Sequence, residues 1–104
     1  MTAPPVSVVD QISASMSITS LRHQVISSNI SNRDAQGYQR MKVSFEQALG
    51  ADSTARVVPD TEHADASMEQ DLIDLSTNAL QYEAMARVLT RYFSMIGSIA
   101  SSRG

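Results

Sequence analysis

The fold is decided by residues 67–102, which read SMEQDLIDLSTNALQYEAMARVLTRYFSMIGSIASS. Apolar side chains recur here at alternating steps of four and three, the spacing of one face of an α-helix. They are Met68, Leu72, Leu75, Ala79, Tyr82, Ala86, Leu89, Phe93, Ile96 and Ala100. The pattern predicts one continuous helix, on the order of 50 Å long at the usual rise per residue.

The ends of this segment also have the composition of helix ends. Ser67 and Gln70 have the spacing of a capping box, in which each side chain bonds the backbone of the other residue. Acidic residues crowd the first turns and arginines lie toward the end, which matches the helix dipole. Glu83 and Arg87 add a favourable pair four residues apart. These features predict a helix over residues 67–102.

A second apolar row lies on the same helix and widens its apolar surface. Its members are Ile73, Leu80, Ala84, Val88, Tyr92, Met95 and Ile99. The two rows together exceed what one partner helix covers. A chain of 104 residues is too small to bury both rows internally. Because large exposed apolar areas mark contact surfaces, the sequence predicts a protein that assembles with others.

A first helix is predicted over residues 7–33. Its apolar row has the spacing of a helix seam, with Thr19 and His23 as polar members: Val9, Ile12, Met16, Thr19, His23, Ile26 and Ile30. Pro4 and Pro5 lie just ahead of it, and Gly37 lies beyond a turn rich in Asn and Asp.

Residues 34–66 carry little helical periodicity. Met41, Val43 and Phe45 alternate with polar residues, which predicts one short extended stretch within an irregular loop. Residues 1–6 read as an N-terminal tail. The expected fold is therefore a single all-α domain, in which the N- and C-terminal helices pair as an antiparallel coiled-coil-like hairpin joined by this middle segment.

Composition narrows the possible functions. The net charge of −3, with both signs evenly mixed, is unlike a nucleic-acid-binding surface and does not favour an anionic membrane. Cysteine is absent, so no disulfide or thiolate site is expected. The N-terminus has neither the basic nor the apolar region of a secretory signal peptide, and no apolar run is long enough to span a bilayer. We expect the chain to stay in the cytoplasm or to leave by a route without a cleaved signal.

Site chemistry is sparse in the sequence. Asp60, Glu62, His63 and Asp65 form the one cluster of metal-ligand types, and a solvated acidic loop explains it better than a metal site does. His23 has no acidic neighbour to orient it as a base, and no serine lies in a nucleophile elbow. We therefore expect no enzyme activity, no catalytic residue, no cofactor and no metal.

Two stretches resemble the flagellar basal-body rod protein family. Residues 21–32, LRHQVISSNISN, continued by Gly37 and Tyr38, are similar to the family's N-terminal signature S-x-N-[IL]-A-N-x-x-T-P-G-[YF]. The matched residues are Ser27, Asn29, Ile30, Asn32, Gly37 and Tyr38. Residues 78–84, NALQYEA, and 93–96, FSMI, are similar to the C-terminal end of the family's proximal rod members. Ala35 and Gln36 replace the family's Thr-Pro, and the middle region is shorter than is usual for the family.

The resemblance implies a structural subunit of the periplasm-spanning rod, which leaves the cell through the flagellar type III export apparatus. It implies helices that order on assembly, and it implies partners: copies of itself, other rod proteins, a FliE-type adaptor, the export gate and the membrane ring, with no nucleic acid and no direct lipid anchor. The expected packing residues are Ile12, Met16, Ile26, Leu72, Leu75, Leu80, Tyr82, Leu89, Phe93 and Ile96. The alternatives are another rod protein, a rod-to-ring adaptor, or a helical type III export chaperone that stays in the cytoplasm.

Overall fold

The computed structural model describes residues 7–46 and 54–103. The chain order is α1 (Val8–Ser31), β1 (Met41–Glu46), β2 (Thr54–Pro59) and α2 (Met68–Arg103). The protein is therefore mostly helical, but the all-α expectation is only approximate because two strands form an antiparallel sheet. The tail expected over residues 1–6 lies outside the described residues.

Helix α1 begins and ends at polar side chains. The Ser7 hydroxyl accepts a hydrogen bond from the Asp10 amide at 3.1 Å, which satisfies one of the free amides of the first turn. At the other end Asn32 is the C-cap, and its side chain donates to the Ser28 carbonyl at 2.9 Å. The predicted helix over residues 7–33 is confirmed with slightly narrower bounds.

The middle segment contains a β-hairpin. β1 coincides with the extended stretch predicted from the alternation of Met41, Val43 and Phe45. β2 was not predicted, because its run Val57-Val58-Pro59 has no clear alternation and follows a polar stretch. The strands pair from Met41 opposite Pro59 to Glu46 opposite Thr54. Residues 54–59 therefore lie in a strand and not in the irregular loop expected over 34–66.

Helix α2 starts with half of the predicted capping box. The Gln70 amide donates to the Ser67 hydroxyl at 3.1 Å, as expected. The Gln70 side chain, however, donates to Asp74 at 2.9 Å. The predicted pair of Glu83 and Arg87 forms on the exposed face, with 2.6 Å between Oε1 and Nη2.

The two helices run antiparallel and in contact. The Asn78 side chain donates to the Thr19 carbonyl at 2.7 Å near the middle of the pair. Arg33, beyond the end of α1, donates to the Ala66 carbonyl just before α2 at 3.2 Å. The β-hairpin packs on α1 through β1. None of the described helices is long and apolar enough to cross a membrane.

The molecule is long and one layer thick. Its principal extents are 62 × 34 × 15 Å, and the shortest is little more than the diameter of a single helix. The radius of gyration is 18.1 Å, whereas a compact domain of this length has about 13 Å. Globular domains are normally stabilised by packing two layers over a shared core. Here Val25 is the one buried apolar side chain among the described residues.

Candidate assembly surface

The seam between the helices follows a row of α2 residues that differs in part from the predicted one. Asp71, Asn78 and Met85 lie in it, whereas the prediction had the next residue at each of these positions. Its members are Asp71, Leu75, Asn78, Tyr82, Met85 and Leu89, spaced alternately by four and three. Asp71 and Asn78 are buried in this seam, and Leu75, Met85 and Leu89 are half-buried. Two polar residues therefore occupy positions that a coiled coil normally gives to apolar ones.

The packing residues predicted from the sequence fall into two groups. Ile12, Met16 and Ile26 of α1 and Leu75 and Leu89 of α2 are half-buried between elements of the chain. The other five remain exposed on α2: Leu72, Leu80, Tyr82, Phe93 and Ile96. Contacts within one chain therefore account for only half of the predicted set.

Exposed apolar side chains cover much of α2. Ten large apolar residues are exposed on this helix, the most exposed being Leu80 at 65%. They are Met68, Leu72, Ile73, Leu80, Tyr82, Val88, Phe93, Met95, Ile96 and Ile99. Single exposed apolar residues are ordinary on protein surfaces, but a continuous set along one helix indicates a contact surface.

The last turns of α2 extend past α1, and we call residues 91–103 the overhang. Because α1 begins at Val8 and Thr19 lies opposite Asn78, α1 reaches roughly to residue 89 of α2. The overhang carries Phe93, Met95, Ile96 and Ile99, of which Phe93 is 53% exposed. Tyr92 packs edge to face on Phe93, with 6.5 Å between ring centroids. Within the described part of the chain, no other helix covers these side chains.

The residues of the signature motif form the corner between α1 and β1. Asn32 ends the helix with a φ of −105°, so it does not adopt the left-handed backbone that asparagine tolerates. Gly37 does, with a φ of +79°, and a residue with a Cβ would be strained there. Ser27 and Ile30 are half-buried on the last turns of α1.

Asn29 joins this corner to the sheet. Its side-chain amide donates to the Met41 carbonyl at 2.7 Å, and its Oδ1 accepts from the Met41 amide at 3.0 Å. The Tyr38 hydroxyl also donates to Asn29 Oδ1 at 2.9 Å. Asn29 is buried. Because it bonds both the amide and the carbonyl of Met41, its side chain takes the place of a neighbouring strand at the start of β1. This contact sets the position of the hairpin relative to α1.

Arg40 holds three segments together. Its guanidinium binds the Asp71 carboxylate through two hydrogen bonds, one of them 2.8 Å long from Nη1 to Oδ2. Its Nε also contacts Asp60 Oδ2 at 3.4 Å. Asp71 is 1% exposed and is the first buried residue of the α2 seam. Bidentate pairs of this kind fix orientation as well as distance.

The charges in this cluster shift one another's pKa values. The hydrogen bonds from Arg40 hold the pKa of Asp71 below its ordinary value of 3.8, against the opposing effect of burial. Burial would raise the pKa of Asp60, but hydrogen bonds from the His63 ring and backbone and from Arg40 outweigh it and lower that pKa. Both aspartates therefore stay ionised, and the cluster acts as a structural clamp.

The acidic loop differs from the solvated cluster that the sequence suggested. Asp60 is buried and accepts hydrogen bonds from the His63 amide at 3.2 Å and from Arg40. Glu62, His63 and Asp65 are exposed. Across the described ranges, no three His, Asp or Glu side chains gather closely enough to hold a metal ion. His23 lies exposed on α1.

Sequence reasoning missed Arg40, Asp60, Asp71 and Asn78 as structural residues. A signal was present for two of them, since Asp71 and Asn78 are seven residues apart on a row whose other members are mostly apolar. No local signal marks Arg40, because its partner Asp71 is 31 residues away. Comparison of the sequence with known protein families and with curated proteins gave no match.

Proposed function

We propose that this chain is a structural subunit of the bacterial flagellar proximal rod, closest to the proximal rod protein FlgB. The observation that carries the proposal is the exposed apolar surface of α2 on a molecule only 15 Å thick. The described residues, 7–46 and 54–103, supply no second layer to cover that surface. Neighbouring subunits would supply the missing layer.

The energetics favour assembly over a free monomer. Full burial of a Leu, Ile or Phe side chain contributes about 1.5–3 kcal/mol. Ten large apolar side chains of α2 are available for this, whereas a single apolar residue is buried within the described chain. Association has large entropic costs of its own, so only part of this free energy would appear as affinity. In this proposal the overhang and the second apolar row of α2 pack against helices of other subunits in a coiled-coil-like manner.

The signature motif supports the same proposal through its structural role. Its asparagines, glycine and tyrosine build the corner that sets the hairpin against α1. A rod transmits torque, and torque needs subunits whose elements keep fixed relative positions. The corner and the Arg40–Asp71 pair supply such fixed positions because paired hydrogen bonds fix orientation as well as distance.

The proposed partners follow from the resemblance described above. They are copies of this chain, other rod proteins, a FliE-type adaptor, the export gate and the membrane ring. The proposed location is the periplasm-spanning rod of the basal body, reached by type III export without a cleaved signal peptide. No enzymatic step is part of this function.

A single substitution on the overhang tests the proposal. Phe93→Asp places a charge on a side chain that makes few contacts within the chain, so the free protein should keep its helical circular dichroism. Burying that charge in a subunit contact costs several kcal/mol. We expect the variant to be missing from purified basal bodies and the cells to be non-motile. Ser94→Asp, a neighbouring exposed position, is the matched control and should swim normally.

The outcome separates the alternatives. Normal motility and normal basal bodies with Phe93→Asp would contradict a rod role for this surface. Wild-type protein that stays in the cytoplasm bound to an exported client would favour the chaperone. A deletion strain whose basal bodies stop at a different rod segment would favour a sibling rod protein or the rod-to-ring adaptor.

A further inference from the structure

The hydrogen bonds between β1 and β2 show which backbone N–H and C=O groups point away from the partner strand. The Asp60 amide donates to the Arg40 carbonyl at 2.8 Å, which makes this a hydrogen-bonded pair. In an antiparallel ladder such pairs alternate with pairs whose N–H and C=O groups point away from the partner strand. The next pair, Met41 opposite Pro59, is therefore of the outward-pointing kind, as are Val43 opposite Val57 and Phe45 opposite Ala55.

The two outer edges of the hairpin are not equivalent. On β1, the outward amide and carbonyl of Met41 are both bonded to Asn29, and the strand packs on α1, although the outward groups of Val43 and Phe45 bond to no other residue in the described part of the chain. On β2, the outward groups of Ala55 and Val57 and the carbonyl of Pro59 bond to no other residue in the described part of the chain. Val57 is also 44% exposed. An open strand edge of this kind is a template for pairing with another strand.

The β2 edge is complementary to itself. If two copies pair antiparallel with Val57 opposite Val57, these residues exchange two hydrogen bonds. Each Ala55 amide then faces the carbonyl of Pro59 in the other copy, so the missing proline N–H leaves no donor unmatched. Shifting the register to place Ala55 opposite Val57 would set Arg56 directly against Arg56, which is unfavourable for like charges.

We propose that the free chain forms a dimer through the β2 edge, with two hairpins joined into a four-stranded antiparallel sheet centred on Val57. A two-fold contact closes on itself and cannot propagate along a polar filament. The dimer would therefore belong to the unassembled protein, and it does not rest on the proposed rod function. It would protect the open edge from unwanted pairing. The contact is small, and small contacts are weak and reversible.

Introduced cysteines test this register cleanly, because the natural chain has none. In the proposed sheet Arg56 lies opposite Val58 of the second copy, with Cα atoms about 4.5 Å apart, and a disulfide tolerates that separation. Two Arg56 residues, or two Val58 residues, would lie diagonally at about 8 Å, which is too far. A mixture of full-length Arg56→Cys and Val58→Cys chains should therefore give about tenfold more cross-linked dimer than either variant alone. Equal cross-linking in the mixture and in the single variants would overturn the proposal.

A proline substitution tests the edge hydrogen bonds without breaking the hairpin. The Val57 amide points outward, so Val57→Pro removes a bond to the second copy but none to β1. In the cysteine mixture we expect Val57→Pro to abolish cross-linking and Val57→Ala, which keeps the amide, to preserve it. Circular dichroism of each chain checks that the fold survives. Cross-linking that persists with proline would show that the edge is not the contact, whether or not the chain is found in basal bodies.

Discussion

Arg40 and Asp71 join the start of β1 to α2. Asp71 is almost fully buried on α2, and Arg40 immediately precedes β1. A buried carboxylate without its partner would be costly, so the pair is required once both groups are enclosed. Asp60, the first residue of the segment between β2 and α2, also contacts Arg40 and so belongs to the same cluster. Residue by residue, the centre of this protein is held by charges and amides more than by apolar packing.

The lowered pKa of Asp71 predicts how stability depends on pH. Its contribution is complete above 3.8, the ordinary value, and is lost as pH falls from there through the folded-state pKa. Asp71→Asn should lower the free energy of unfolding by about 1.5–3 kcal/mol at neutral pH, because charge-assisted hydrogen bonds are lost. Urea titrations followed by circular dichroism should show this difference shrinking below pH 3.8.

Asp74→Asn is the control for that measurement. Asp74 is exposed and bonds only to the Gln70 side chain among the contacts described. The substitution should leave both the neutral stability and its pH dependence close to those of the wild-type chain. A difference between Asp71→Asn and wild type that stays constant down to strong acid would contradict the assignment.

At the scale of elements, a comparison of two glycines tests whether the corner between α1 and β1 requires left-handed backbone. Gly37 has a φ of +79° between α1 and β1, whereas Gly97 lies in the interior of α2. An added Cβ meets no atom within 4 Å at either position. Steric clashes therefore do not distinguish the two positions. Any difference in stability between substitutions at them should come from backbone conformation alone.

Replacing each glycine with alanine should give opposite effects. Gly37→Ala should destabilise the chain by about 1–2 kcal/mol, the cost of left-handed backbone for a residue with a Cβ. Gly97→Ala should stabilise α2 by up to about 1 kcal/mol, the difference in helix propensity. Thermal melting by circular dichroism measures both. A stabilising Gly37→Ala would mean that the corner does not require its left-handed residue.

At the scale of the whole molecule, the chain is a single layer with a helix that outruns its partner. The helix pair and hairpin form one connected unit at the end near Arg40, Asn29 and Asp71. At the opposite end the large apolar side chains of the overhang, Phe93, Met95, Ile96 and Ile99, are exposed. Stability is therefore expected to fall along α2 from its first turns to its last.

Hydrogen exchange should measure this gradient. Amides of residues 91–103 should exchange much faster in the free chain than those of residues 71–89, because local opening of the overhang disrupts few packed contacts. In the assembled state the overhang should become protected. Uniform protection along α2 in a dilute monomer would contradict the view that this helix lacks its covering partners.

Local sequence patterns are enough to locate both helices, their approximate limits and the excess of apolar surface on α2. These properties are local: helical periodicity, the cap at Ser67 and the glycine after α1 all act over a few residues. In contrast, the phase of the seam, the existence of β2 and the buried cluster of Arg40, Asp60 and Asp71 depend on contacts between residues far apart in the chain. The physical reason is that a strand of weak pattern is stabilised by the strand it pairs with, and a buried carboxylate is stabilised by a guanidinium 31 residues away.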